Sequence, residues 1–336
     1  MNILITGATG YIGVALAEYL HRHYGRSIAL LALSRPSSPR ERLSHLPITF
    51  LSGDLTEAVS VWRAIEKADV VFHVAGLVSY QQRDYQRLYQ TNVMGTRNVV
   101  DACLRSKVKR LIHTSSTAAI GVVSRLNTEQ TPFQSWQMRI GYMASKYLAE
   151  LEVLRGVAEG LDAVIVNPGI VIGEVRGIDN ATSRLIRQIF RGEIPFYPTG
   201  GAGFVDIEDV VAAHHLAWHK GQCGERYIIV SENLLYQTLY EHLAQLGGRS
   251  RTAVPLSRTL GRIFALSAEM ISILFGIDTP IALDSVRLSE RVLFYDNTKS
   301  RQELGLTYQP IEKTLETLLF SSYKFQLQRF SSMSAG

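Results

Sequence analysis

The run Ile3-Leu4-Ile5-Thr6-Gly7-Ala8-Thr9-Gly10-Tyr11-Ile12-Gly13 constrains this chain more than any other stretch. Three apolar residues suit a buried strand. Three glycines follow, spaced by three, and Ala15, Leu16, Tyr19 and Leu20 then recur at helical spacing. Gly7 allows a sharp turn out of the strand, Gly10 lets a dinucleotide pyrophosphate reach the backbone, and Gly13 lets the helix pack close to the sheet. The amides of the helix N-terminus then face the phosphates. A turn that binds nothing is the plainer alternative, but a glycine triplet between a strand and a helix favours a bound nucleotide.

The rest of the chain repeats the alternation. Strands are expected at Ser27–Leu33, Ile48–Leu51, Val70–Val74, Lys109–His113 and Ala163–Val166, with helical stretches between them. That order predicts an α/β chain with a Rossmann-like, doubly wound parallel sheet and right-handed crossovers. Residues 1–172 read as the nucleotide-binding domain, to which the chain returns around 204–231. Residues 173–203 and 232–325 read as a smaller, mostly helical substrate lobe, and 331–336 as a flexible tail. A strand is expected at Val292–Tyr295.

Composition narrows the function classes. With 46% hydrophobic and 19% charged residues the chain is a folded protein rather than a disordered one. A net charge of +5 without a dense Lys/Arg block argues against nucleic acid. Cys103 and Cys223 are too few and too far apart for a disulfide framework or a zinc site, so reduced thiols, a cytoplasmic location and no metal are expected. The first strand begins at the chain start, so no signal peptide is read. The most lipid-like run, Ile263–Ile277, is too short to span a bilayer. Arg249, Arg251, Arg258 and Arg262 precede it. The preferred reading is a solvated loop before a substrate-lobe helix, with peripheral contact to anionic lipid as the alternative.

The chemistry gathers at the carboxyl edge of the sheet, where open α/β folds place their ligands. The fifth strand delivers Thr114-Ser115-Ser116-Thr117 there, and Tyr142 and Lys146 share one face of the next helix. A tyrosine hydroxyl can hand a proton to a carbonyl oxygen while hydride arrives from a nicotinamide. Its ordinary pKa near 10 is high for that task, and a lysine one turn away favours the phenolate. A serine hydroxyl can fix the substrate oxygen. A second Tyr-x-x-x-Lys, Tyr295 to Lys299, comes after the nucleotide fold is complete and is set aside. His73 reads as a packed strand-end histidine rather than a base. Asn92 and Gly95 weaken the helix that holds them, which a kink near the site would explain. At the end of the second strand stand Ser34 and Arg35, with no acid before Glu41. That favours the 2′-phosphate of NADP over the ribose of NAD, though NAD remains possible.

Residues 6–13 (TGATGYIG), Asn92, Ser116 and Tyr142-x-x-x-Lys146, with Asp296-Asn297-Thr298-Lys299 and Glu303-Leu304-Gly305 further on, resemble the extended short-chain dehydrogenase/reductase family. Segments such as FHVAG, TNVMGTRN, HTSS and GFVDIEDV are most similar to its dihydroflavonol-reductase-like, hopanoid-associated and 3β-hydroxysteroid-dehydrogenase-like members. The resemblance implies Tyr142 as acid/base, Lys146 as its modulator, Ser116 as carbonyl anchor, and Asn92 as a kink residue ordering a relay water. It implies nucleotide contacts at Gly7, Thr9, Gly10, Tyr11, Ile12, Asp54, Leu55, Ala75, Pro168, Gly169 and Ile170, alongside Tyr142 and Lys146, and a homodimer. Thr117-Ala118 in place of an Asp-Glu pair speaks against sugar dehydration. The expected activity is NAD(P)H-dependent reduction of a rather apolar ketone, or oxidation of the alcohol. A nucleotide-sugar epimerase holding NAD tightly and a cofactor-binding regulatory protein are the alternatives.

Overall fold

The computed structural model describes residues 1–249, 253–259, 261, 263, 266–267 and 282–320. Most of the run Ile263–Ile277 and the tail Ser331–Gly336 lie outside the described residues. Seven parallel strands form the main sheet: β1 (Asn2–Thr6), β2 (Ala29–Ser34), β3 (Ile48–Ser52), β4 (Val70–His73), β5 (Arg110–Thr114), β7 (Ala163–Pro168) and β11 (Arg226–Ile229), β6 lying elsewhere. Their spatial order is β11-β7-β5-β4-β1-β2-β3. Strand order reverses between β1 and β4, which opens a crevice at their carboxyl ends.

Alternation along the strands loads both faces of this sheet. Ile3 and Ile5 pack with α1 (Tyr11–Tyr24) and α7 (Ile207–Lys220), while Leu4 faces α2 (Ala58–Ile65), α4 (Gly95–Ser106) and α5 (Gly141–Ala158). The chain before α4 is a short α-turn, α3 (Tyr85–Leu88), followed by a π-helical turn at Tyr89–Met94. Asn92 thus sits in a single π-turn inside an otherwise α-helical segment, a distortion often found at functional sites.

A second, five-stranded sheet builds the other lobe. Its order is β12-β10-β14-β6, with β8 against β10. These strands are β6 (Leu126–Asn127), β8 (Ile170–Ile172), β10 (Gly201–Asp206), β12 (Glu232–Leu235) and β14 (Val292–Tyr295). They run only two to six residues, too short for periodicity to announce most of them. Around them stand α6 (Ala181–Arg191), α8 (Tyr236–Leu246) and α9 (Leu283–Ser289), and a small pair joins β9 (Phe196–Tyr197) to β13 (Val254–Pro255). No helix among the described residues is long and apolar enough to cross a membrane.

Candidate active site

The crevice between β1 and β4 is a groove of about 610 Å³. Gly7, Thr9, Gly10, Tyr11 and Ile12 form one wall, and Arg35, Asp54, Leu55 and Ala75 also line it. Gly7 has φ of +70°, and a Cβ there would stand 2.6 Å from the Ala75 Cα, so the loop after β4 approaches to where only glycine fits. Gly13 plays a different part from the one expected. Its Cβ would come within 2.1 Å of the Gly7 carbonyl oxygen, so its bareness lets the helix close on its own loop rather than on the sheet.

At the outer end of the groove, Asp54 accepts from the Thr56 amide (2.9 Å) and hydroxyl (2.8 Å). Burial works against its charge, but these hydrogen bonds and the Arg35 charge outweigh it and hold its pKa below the usual carboxylate value. Two arginines that the sequence did not single out join this rim. Arg40 donates to the Ser34 hydroxyl at 3.1 Å, and Arg42 donates to the Thr9 carbonyl in the Gly-rich loop at 2.8 Å. Both belong to a 3₁₀ turn, Arg40–Leu43, whose short irregular sequence carried no periodic signal.

The inner end is set by Asn92. Its side chain accepts from the Leu77 amide (2.7 Å) and donates to the Leu77 carbonyl (2.9 Å), clamping the loop after β4. It also donates to the Ser145 hydroxyl at 2.9 Å, and Ser145 donates to the Tyr142 carbonyl at 2.8 Å. One amide therefore ties the nucleotide loop to the catalytic helix. His73 lies behind it, fully buried. The Thr96 hydroxyl donates to the Asn92 carbonyl (2.5 Å), so it accepts from His73 Nε2 (3.0 Å), which leaves His73 Nδ1 to accept from the Thr6 hydroxyl (2.7 Å). Burial, with the Lys146 charge adding, pushes the His73 pKa down to about 3. A neutral ring with both nitrogens committed is no base.

Ser116 caps the short turn after β5 by accepting from the Ala118 amide, and its hydroxyl lies close enough to the buried Tyr142 hydroxyl to favour the phenolate. Lys146, one turn along α5, is 6% exposed and donates to the Thr114 carbonyl at 2.8 Å. The three side chains thus converge at the carboxyl end of β5. The expected lowering of the Tyr142 pKa is not found. Burial raises it, and the nearby Ser116 hydroxyl offsets that only in part. The Lys146 ammonium donates to the Thr114 carbonyl rather than to the phenol. Burial also pushes Lys146 down to about 8, opposed by the nearby Glu150 carboxylate. Glu150 is in turn paired with Arg226 at 3.0 Å, and Asn167 donates to it at 2.5 Å. The second Tyr-x-x-x-Lys is divided between two tasks: Lys299 binds Glu225 and the Arg226 carbonyl, and Tyr295 bonds to Thr117.

Pro168, Gly169 and Ile170 lie at the end of β7 and the start of β8, outside the residues that line the groove. Gly169 meets the Gly203 carbonyl there. Three further tyrosines gather nearby without any sequence signal: Tyr80 touches Tyr142, and Tyr236 and Tyr295 lie near Tyr80. Tyr80 stands edge-on to Tyr142, ring centroids 5.4 Å apart, and interacts electrostatically with Tyr236 and Tyr295. Burial raises all three pKa values, so these phenols stay neutral.

A nicotinamide dinucleotide fits this groove. A Cβ at Gly76 would stand 3.4 Å from Asn92 Oδ1 and 3.8 Å from Lys146 Nζ, so the groove ends against the helix that carries Tyr142 and Lys146. If Lys146 holds the nucleotide as an ammonium, dinucleotide affinity falls as pH rises through about 8, where that proton leaves. Calorimetric titration between pH 6.5 and 9.5 checks this; Lys146→Met should flatten the profile, and an unchanged profile would remove the ammonium from binding.

Residues 3–230 match the model of the NAD dependent epimerase/dehydratase family. The protein named "Putative dihydroflavonol 4-reductase" of Synechocystis sp. is 34% identical over 319 residues, covering 93% of this chain and 91% of that one. Sterol demethylase protein B of Methylococcus capsulatus is 32% identical over 310 residues, covering 91% of this chain and 93% of its own. The crystal structure of gox2253 superposes with a TM-score of 0.80 at 31% identity, over 96% of this chain and 98% of the other.

Proposed function

The chain belongs to the NAD dependent epimerase/dehydratase family and is an oxidoreductase of the extended short-chain type; we propose that it is an NADPH-preferring reductase of an apolar ketone, or dehydrogenase of the matching alcohol. The observation that carries this reading is the convergence of Ser116, the buried Tyr142 and the buried Lys146 at the carboxyl end of β5, beside the inner end of the nucleotide groove. The bound nicotinamide supplies or accepts the hydride. Ser116 holds the substrate oxygen, and the Tyr142 hydroxyl donates its proton to that oxygen in reduction or takes it back in oxidation. Lys146 holds the nicotinamide ribose, and Asn92 keeps the loop at Leu77 and the helix of Tyr142 in register. Gly7, Thr9, Gly10, Tyr11 and Ile12 receive the pyrophosphate, and Asp54, Leu55 and Ala75 the adenosine side.

The substrate class is supported by the neutral phenols near the site, Tyr80 against the Tyr142 ring with Tyr236 and Tyr295 beside Tyr80. Two relatives carry dihydroflavonol and sterol in their names, both polycyclic skeletons, which supports an apolar substrate here. NADPH preference rests on Arg35 beside Asp54, with Arg40 and Arg42 on the same rim. A guanidinium hydrogen-bonded to a phosphate contributes about 1.5–3 kcal/mol. Arg35→Ser should therefore raise KM for NADPH by roughly tenfold or more and leave KM for NADH nearly unchanged. Steady-state kinetics with both cofactors reads this; an equal rise for both would assign Arg35 to general binding. Tightly held NAD that survives purification and resists exchange with NADPH would instead point to an epimerase.

A further inference from the structure

The catalytic reading leaves one sequence feature unused, the basic and apolar stretch that starts near Arg258. Its described part packs on α9, since Gly261 lies against Leu256 and Val286. Between it, α9 and the approach to α5 opens a second cavity of about 500 Å³, rimmed by Arg139, Arg258, Arg287 and Arg291. Only two carboxylates, Asp284 and Glu290, share that lining. Asp284 is nearly buried and pairs with Arg287 at 3.4 Å. The Arg291 guanidinium lies 4.0 Å above the Trp136 ring, which fixes its plane and leaves its edge to bind an anion. Arg139 and Arg258 form no ion pair with a described residue, so the face carries surplus positive charge.

Apolar side chains stand out beside these arginines. Met138, next to Arg139, is 38% exposed, and Ile263 and Leu266, beyond Arg258, are 53% and 49% exposed. Phe196 and Val254 are opposite each other in the β9–β13 pair and are also exposed. That pair leads through Leu256, whose amide donates to the Tyr197 carbonyl at 2.8 Å, to Arg258. Single exposed apolar residues are ordinary, whereas a set gathered around four arginines calls for a partner. A soluble phosphate needs only the arginines. A bilayer uses both kinds of group: guanidiniums reach the phosphate plane, and apolar tips enter just below it.

We propose that this face docks on an anionic phospholipid surface. Its cavity shares Ile140 and Leu288 with the cluster that also holds Met143 and Tyr80, one residue either side of Tyr142 or in contact with it. Docking therefore turns the substrate cleft toward the acyl layer, where an apolar ketone dissolves. That last step rests on the reductase reading; the docking itself does not.

The test is flotation of the full chain with vesicles of phosphatidylcholine, with and without about 30 mol% phosphatidylglycerol, at about 0.05 M and about 0.5 M salt. The chain should float only with the anionic vesicles at low salt. Arg258→Glu with Arg291→Glu should cut the bound fraction at least tenfold, on the order expected for reversing two interfacial charges. Ile263→Asp with Leu266→Asp should also weaken it. None of these side chains belongs to the catalytic or nucleotide site, so NADPH affinity, unchanged in each variant, reports that the fold is intact. Failure of the wild-type chain to float at low salt overturns the proposal, as does undiminished flotation of the arginine variant. Inorganic pyrophosphate that displaces the chain, combined with full binding by the Ile263/Leu266 variant, would assign the cavity to a soluble phosphate ligand and overturn lipid docking. Loss of reductase activity with flotation retained would sink only the substrate reading.

Discussion

Tyr142→Phe is expected to lower kcat by about 10²–10⁴-fold, the usual worth of a positioned proton donor, with dinucleotide affinity nearly unchanged. The substitution removes one hydroxyl and keeps the ring that packs edge-on against Tyr80. Ser116 keeps the Ala118 amide, which donates to its hydroxyl at 3.1 Å, so the turn after β5 stays formed. The nucleotide groove does not include Tyr142, and Lys146 is anchored by the Thr114 carbonyl rather than by the phenol. The loss should therefore fall on kcat and not on the dissociation constant for NADPH. The direction of the Tyr142 pKa sharpens the argument. Burial keeps the phenol protonated well above neutral pH, which suits donation to a carbonyl better than removal of a proton from an alcohol. Reduction should accordingly be the faster direction at neutral pH, with oxidation gaining as pH rises. A variant that keeps kcat within a few-fold would take the Tyr142 hydroxyl out of the chemistry, whereas a variant that loses activity but keeps an unchanged cellular role would support a regulatory or assembly protein.

The groove and the catalytic helix were legible in the sequence because each is a local pattern with one physical meaning. A glycine triplet after three apolar residues names a strand–turn–helix, and a tyrosine four residues before a lysine names one helix face. Asn92 was legible as a helix weakness, and the π-turn is its physical form. The rest arises from contacts between distant segments. Tyr80, Tyr236 and Tyr295 come from a loop, the first residue of α8 and the last of β14, and nothing in their spacing brings them together near Tyr142. The five-stranded sheet was hidden for the same reason, since β6 is two residues long and its Leu126 and Asn127 pair with Phe294 and Tyr295 of β14, 168 positions on. The Tyr142 pKa was misjudged because helical spacing shows that Lys146 is near but not what it bonds to. Burial, set by the fold, raises the Tyr142 pKa instead.

Two of the three loop glycines should fail in opposite ways, which separates folding from binding. Gly7→Ala adds a Cβ at a φ of +70°, which costs about 1–2 kcal/mol for an L-residue. The same atom lands 2.6 Å from the Ala75 Cα and 2.7 Å from its nitrogen. Those are backbone atoms of the loop that Asn92 clamps through Leu77, so neither side yields without breaking that clamp. Overpacking of this kind costs a further ~1–3 kcal/mol. The sum, about 2–5 kcal/mol, should lower Tm by roughly 3–7 °C and abolish nucleotide binding with it. Gly10 has an ordinary extended backbone, φ −84° and ψ 175°, and its Cβ would meet only the Gly7 carbonyl, at 3.2 Å. Gly10→Ala should therefore keep Tm within about 2 °C, yet its methyl stands where the pyrophosphate approaches, and affinity for NADPH should drop at least tenfold. Differential scanning calorimetry and calorimetric titration on the pair decide the matter. Full NADPH affinity in Gly10→Ala would mean that the phosphates do not cross this loop, and the whole assignment of the groove would fall with that result.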